Sequence, residues 1–248
     1  MTSANDTQTN VCAIVGAGDY IGSAIARRFA REGYTIVAGR RGAEKLEPLR
    51  AEIEAAGGNL VARSLDARSE EAVDGFIEGA AALGELSVVI FNVGGNVKFP
   101  IAETSERVFR KVWQMACYAG FLTGKAAAKK MLAQGSGSIF FTGATASMRG
   151  GSGYGAFASA KFGLRGLTQA MARELGPENI HVAHLVIDSA VDTKWVRELI
   201  TERAGAEALA ETPLLDPASI AETYWMLHNQ PKDCWTHEMD VRPFNETF

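Results

Sequence analysis

Seven short apolar runs, each followed by a longer amphipathic segment, constrain this chain more than any single motif. The runs are VCAIV (11–15), YTIVAG (34–39), NLVARSL (59–65), LSVVIF (86–91), SIFFTG (138–143), IHVAHLVI (180–187) and WTHEMDV (235–241). Several are β-branched and too continuously apolar to alternate, as strands covered on both faces must be. Residues 20–32, 43–57, 69–83, 105–133, 154–175, 195–210 and 217–229 carry the helical patterns between and after them. AEKLEPLRAEIEAAGG shows the signature, with charges on one face and glycines at the end. Strict alternation of strand and helix predicts an α/β fold, a doubly wound parallel sheet of about seven strands with helices on both faces. Such a sheet binds ligands beyond the carboxyl ends of its strands, so the chemistry is to be sought in the loops that follow them.

The 248 residues suffice for one large α/β domain. No linker, repeat or low-complexity tract divides them, and the polar start, MTSANDTQTN, reads as a disordered tail over 1–10. A net charge of −4 and a pI of 5.7 leave no basic excess to neutralise phosphates, which speaks against nucleic acid or anionic membranes as partners. No apolar run approaches the roughly 20 residues that span a bilayer. Cys12, Cys117 and Cys234 are far apart and form no CxxC pair. They read as reduced, mostly buried thiols in a cytoplasmic protein. His181 and His184 share one predicted strand, three residues apart, and so point to opposite faces; no metal site is expected.

After the first run comes GAGDYIGSAIARRFAREG. Gly16, Gly18 and Gly22 let the chain turn tightly and bring backbone N–H groups near a phosphate. The helix that follows, beginning near Ile21, points its positive end at the same place. A glycine pattern alone is weak evidence, but its position between the first strand and a helix favours a nucleotide. LDA (65–67), NVGG (92–95), the helix containing FASAK (157–161) and VIDSAVDT (186–193) then follow in order. With these stretches the chain resembles the short-chain dehydrogenase/reductase family from about residue 11 to 241. The resemblance implies a single Rossmann-type domain over 11–248, a substrate lid at about 194–212, a nicotinamide dinucleotide and a homo-oligomer, dimer or tetramer.

The family's glycine pattern is G-x-x-x-G-x-G. Gly16 and Gly22 are in register, while Tyr20 replaces the middle glycine and is expected to crowd the pyrophosphate side. Members that prefer NAD place an acid at the end of the second strand, where this chain has Gly39. Arg40 and Arg41 follow and suit a 2′-phosphate, so NADP is expected, with NAD possible. Two other readings stand beside it: the arginines are a solvated helix start, and Asp19 would repel a 2′-phosphate. Asp66 matches the family's contact to the adenine amino group. Asn92, Gly94 and Gly95 occupy its ribose-side position, and Thr193 its contact to the nicotinamide carboxamide. A helix cap for Asp66 and a plain turn for the other three are the alternatives.

The family's reaction is hydride transfer coupled to a proton. Its tyrosine gives the proton, a lysine four residues later holds the nicotinamide ribose, a serine positions the substrate, and an asparagine supports a relay water. Lys161 matches the lysine, but Phe157, Ala144 and Ala116 stand at the other three positions. A phenyl ring has no ionisable proton. Tyr154 precedes Lys161 by seven residues, two turns on a continuous helix, and is the candidate donor; its alternative is a loop aromatic at the cleft mouth. Thr142 and Thr145 flank the empty serine position and offer either a substrate contact or a backbone hydrogen bond. Asp188 and Ser189 replace the family's Pro-Gly pair. Trp195, Val196 and Leu199 either face the substrate or pack as an ordinary helix.

Small residues in MACYAGFLTGKAAAKKM and GAFASAKFGLRGLTQAMA fit the family's dimer face, or close packing within one chain. The function expected is hydride transfer between NADP(H) and a small carbonyl, alcohol or activated alkene. The rivals are a catalytically impaired dinucleotide-binding sensor or regulator and a non-catalytic subunit of a hetero-oligomer.

Overall fold

The computed structural model describes residues 9–246. The expected tail falls mainly on residues 1–8, outside the described residues. Thr9 and Asn10 do not belong to it. The Glu85 N–H donates to the Thr9 carbonyl at 2.9 Å, and Asn10 opens the first strand.

Every expected apolar run yields a strand: β1 (Asn10–Val15), β2 (Thr35–Arg40), β3 (Asn59–Ser64), β4 (Glu85–Phe91), β5 (Gly137–Thr142), β6 (Ile180–Ile187) and β7 (Glu238–Val241). They form one parallel sheet in the order β3-β2-β1-β4-β5-β6-β7. The helices are α1 (Ile21–Arg31), α2 (Glu47–Ala55), α3 (Glu70–Ala81), α4 (Glu106–Trp113), α5 (Ala119–Gln134), α6 (Gly155–Leu175), α7 (Lys194–Glu211) and α8 (Pro217–His228).

The period of the strand sequence explains the layers. Val11, Ala13 and Val15 of β1 face one core, while Cys12 and Ile14 face the other. With both faces buried, the run cannot alternate with polar residues. α3, α5 and α6 cover the first core through Val73, Leu122 and Leu164. α1, α2 and α8 cover the second through Ile25, Leu49 and Tyr224. The strand order reverses between β1 and β4, which opens a crevice at their carboxyl ends.

Two helices depart from expectation. The pattern over 105–133 is not one helix: α4 and α5 are joined through a π turn, Gln114–Tyr118. α7 bends at Gly205, whose φ of 90° and ψ of 169° lie outside helical space.

Candidate active site

The phosphate loop is held by its neighbours. Gly16 has φ +92°, and a Cβ there would lie 2.7 Å from the Asn92 carbonyl oxygen. The Asn92 amide donates to the Gly16 carbonyl at 3.1 Å, and its Oδ1 accepts from the Thr142 hydroxyl at 3.0 Å. Thr142 also meets the Tyr224 hydroxyl at 2.7 Å. This chain of side chains braces the loop against β5, so Thr142 serves the scaffold and is not a free substrate contact. α1 has no side-chain cap, unlike α3, α4, α7 and α8, which Ser69, Ser105, Thr193 and Asp216 cap. Its first residues, Ile21 and Gly22, line a cavity of about 730 Å³. A Cβ on Gly18 would meet nothing within 4 Å. An uncapped helix start beside open space and a close-approach glycine fit a diphosphate. The Tyr20 hydroxyl accepts the Lys194 N–H at 3.0 Å, which ties the loop to the first residue of α7.

A second cavity, about 590 Å³, continues from the same loop and shares Gly16, Gly18, Asn92, Val93 and Gly94 with the first. Arg40, Arg41, Lys45 and Asp66 line it. Arg40 pairs with Asp19 at 2.5 Å. Asp66 takes a two-pronged pair from Arg68 at 2.9 and 2.6 Å, whose hydrogen bonds bring its carboxyl down to about 2. Arg41 and Lys45 enter no ion pair among the described residues. Ser69, not Asp66, caps α3, which removes the cap reading of Asp66. Gly95 lines neither cavity; it lies against the π turn, 3.4 Å from Met115 at its Cβ position.

At the far end of the larger cavity stands Lys161. It is only 2% exposed, and its Nζ donates to the carbonyls of Thr142 at 2.8 Å and Val93 at 3.4 Å. Burial lowers its pKa to about 8. The buried Phe157 ring lies one turn away, its centroid 5.9 Å from Nζ. Ala144 lines the cavity, and Ala116 is wholly buried in the π turn. Tyr154 lines the same cavity, half-buried. It is the residue before α6, with φ −105° and ψ 21°, so it is not on a continuous helix with Lys161. Its hydroxyl has no hydrogen bond among the described residues. The Lys98 ammonium sits 5.7 Å from its ring centroid.

Thr193 lines the cavity and caps α7, accepting from the Val196 N–H at 3.1 Å. α7 itself buries nothing: Trp195 is 63% exposed, while Val196 and Leu199 are half-buried. Trp195 thus faces solvent, while Val196 and Leu199 are partly covered. Ser189 bonds Glu246 at 2.7 Å. Several small residues of α5 and α6 pack within the chain: a Cβ would lie 2.4 Å from Leu164 on Gly120, 2.8 Å from Met171 on Gly124 and 2.9 Å from Cys117 on Gly163, while Gly166 faces open space.

One charged residue of the larger cavity was not evident from the sequence. Arg149 follows β5 and lines the larger cavity, paired with the buried Asp188 beyond β6. Their separation of 39 positions hides the pair from any local pattern. Of the cysteines, Cys12 and Cys117 are buried and Cys234 is exposed; none is bridged.

The reversed strand order, the glycine loop under an uncapped helix and the buried lysine define a protein of the dinucleotide-binding Rossmann class. The sequence pattern of the short chain dehydrogenase family matches residues 10–204, and the chain belongs to that family, the short-chain dehydrogenases/reductases. It is similar to a short-chain dehydrogenase from Rhodopseudomonas palustris, 57% identical, with a TM-score of 0.82 over 95% of this chain and 99% of that one. A metagenomic short-chain oxidoreductase in complex with NADP is 26% identical, with a TM-score of 0.80 over 96% of this chain and 98% of that one. The 3-oxoacyl-[acyl-carrier-protein] reductase of Bos taurus is 30% identical over 193 residues, 77% of this chain and 80% of that protein. Among the described residues, no helix is long and apolar enough to cross a membrane, and no group of three His, Cys, Asp or Glu is placed to hold a metal ion.

Proposed function

We propose that the chain is an NADP(H)-dependent oxidoreductase acting on a small carbonyl, alcohol or activated alkene. The observation that carries this is the buried Lys161 ammonium in the larger of two cavities that meet over one phosphate loop. The bound dinucleotide supplies hydride at its nicotinamide. The backbone of Gly16, Gly18, Ile21 and Gly22 holds the pyrophosphate. Arg41, aided by Arg40, takes the 2′-phosphate, and Asp66 the adenine. The backbone around Asn92 and Gly94 faces the ribose, Lys161 holds the nicotinamide ribose, and Thr193 its carboxamide. Tyr154 or a solvent water delivers the proton. NADP is favoured over NAD because Gly39 offers no carboxylate and Arg41 has no acidic partner within ion-pair distance among the described residues. NADP also accompanies one of the similar structures.

We read the chain as one domain with α7 as its lid, in a cytoplasmic setting that suits its three unbridged thiols. A homo-oligomer is supported by Phe109, Trp113, Phe121 and Phe162, exposed on α4, α5 and α6.

A second reading, dinucleotide binding without turnover, is favoured by one observation: Phe157, Ala144 and Ala116 place no donor at the three usual positions. Fluorescence titration with NADPH and NADH tests both readings, and absence of binding rejects both. If NADPH binds, its consumption with aldehydes, ketones and enones separates them. Tyr154→Phe should then slow turnover by about a hundredfold, within the usual range for general-acid loss. An unchanged rate assigns the proton to water.

A further inference from the structure

The larger cavity is mostly apolar, and its charges are unevenly placed. Asp19 is the one acid that lines it, at the phosphate-loop end, where it is paired with Arg40. The two cations that line it are Lys161 and Arg149. Lys161 is buried against two carbonyls and has its remaining N–H for the nicotinamide ribose. Arg149 is different: its side chain remains 49% exposed while its guanidinium is clamped from behind. Asp188, 2% exposed, meets Arg149 Nη2 at 3.1 Å through Oδ1 and Nη1 at 3.2 Å through Oδ2. Arg242 reaches the same Oδ2 at 3.4 Å and also pairs with Asp240 at 2.6 Å. Burial disfavours the Asp188 charge, but hydrogen bonds from Thr145 and Arg149 and the charges of both arginines outweigh it and hold the carboxyl below its ordinary value.

A guanidinium fixed by a buried carboxylate has lost most of its rotamer freedom before any ligand arrives. Its remaining N–H donors stay available to an incoming anion. A second cation lies over Tyr154, which lines the same cavity. Lys98, over the Tyr154 ring, enters no ion pair among the described residues. The Phe99 N–H donates to the Gly153 carbonyl at 2.8 Å, which ties the Lys98 loop to the loop after Arg149. Arg149 and Lys98 thus stand on joined loops, Lys98 against the Tyr154 ring, and Ala144, Phe157 and Ile187 give the cavity that Arg149 lines an apolar wall.

We propose that Arg149 is the substrate-anchoring residue, and that the substrate carries a carboxylate, gripped by Arg149 with Lys98 in support. The apolar part of the molecule then extends toward Lys161. The proposal rests on the oxidoreductase reading for turnover, but not for binding. A planar fork matches a carboxylate geometrically, which a lone lysine would not do.

The test uses levulinate and benzoylformate, each against its methyl ester, with the full chain loaded with NADPH. The wild type should favour the acids at least tenfold in kcat/KM, mainly through KM. Arg149→Gln should erase that preference, chiefly by raising KM for the acids. Arg149→Lys should recover part of it. Equal rates for acid and ester in the wild type, or a preference that survives Arg149→Gln, overturn the proposal. If neither acid nor ester is turned over, the oxidoreductase reading fails for these compounds, and the proposal is decided by binding. Ligand-observed NMR should then show levulinate, but not its ester, binding the NADPH complex of the wild type and not that of Arg149→Gln. Levulinate binding that ignores Arg149, or no binding at all, refutes the anchor. NADPH affinity, measured in parallel, should be the same in wild type and variants.

Discussion

A ribose held by the Lys161 ammonium should be released as that ammonium loses its proton. The amine is 2% exposed, and carbonyl oxygens at 2.8 and 3.4 Å are its hydrogen-bond partners. No carboxylate pairs with it among the described residues, and a phenyl ring, not a phenol, lies 5.9 Å away. Burial disfavours the charged form and brings the pKa to about 8. If the ammonium alone grips the ribose, affinity follows its protonated fraction, which is about 0.9 at pH 7 and about 0.1 at pH 9. The NADPH dissociation constant should therefore rise about tenfold between those pH values, or about 1.4 kcal/mol. Fluorescence titration at constant ionic strength measures it. Lys161→Met should bind weakly at both pH values with no slope. A wild-type constant that changes less than about twofold, or the same slope in Lys161→Met, would refute the assignment of the ribose to this amine.

Gly39→Asp, the obvious route to NAD preference, should fail to deliver it. A Cβ there would lie 2.6 Å from Leu65 and 2.9 Å from Phe76, so the variant should lose about 1–3 kcal/mol in urea denaturation. Tyr20→Phe removes the acceptor for the Lys194 N–H and should speed NADPH release about two- to tenfold in stopped-flow displacement, the usual worth of one such bond. Acid should destabilise the fold through two histidines that burial lowers to about 4, His184 on β6 beside Glu238 and His228 at the end of α8 beside Tyr34 and Ser138. Each stays neutral in the folded chain while the unfolded chain takes up a proton. Stability is thus complete above about pH 6.5, falls toward pH 4, and is about 2 kcal/mol lower per histidine at pH 5. Urea midpoints at pH 7.5 and pH 5 check this.

The fold was legible because strand burial on both faces writes itself into local composition. β1, β4 and β6 are nearly pure apolar runs, and each helix carries its own period. The break between α4 and α5 was not legible: a π turn needs no glycine or proline, and QMACY reads as ordinary helix. At the site, residues near one another in sequence were found, and pairs made across the fold were not. Asn92 looked like a small residue beside a ribose, yet its amide braces Gly16 against Thr142. Arg40 and Asp19 read as opposing influences on a 2′-phosphate, yet they pair with each other. The Arg149–Asp188 clamp joins the ends of two neighbouring strands, a relation that only the β5–β6 pairing reveals.

The three positions without donors have a shared physical environment. Ala116 and Phe157 belong to one buried apolar cluster with Val112, Cys117 and Ala156, and Ala144 packs against it. A hydroxyl placed alone in such a wall costs about 1–3 kcal/mol unless it finds a partner. Phe157→Tyr by itself therefore introduces a proton donor near the Lys161 ammonium, which lies 5.9 Å from the present ring centroid, and its gain in carbonyl reduction should be partial. Ala144→Ser by itself offers a substrate contact with no donor behind it, and should gain nothing. Made together, the two hydroxyls can share a carbonyl oxygen, and the rate should exceed the product of the single effects by about tenfold, because residues that act as a unit are not additive. Ketone-dependent NADPH oxidation by the four proteins measures the coupling. Strict additivity, with NADPH affinity intact in all four, would show that the wall as a whole, and not its missing hydroxyls, has turned away from carbonyl reduction.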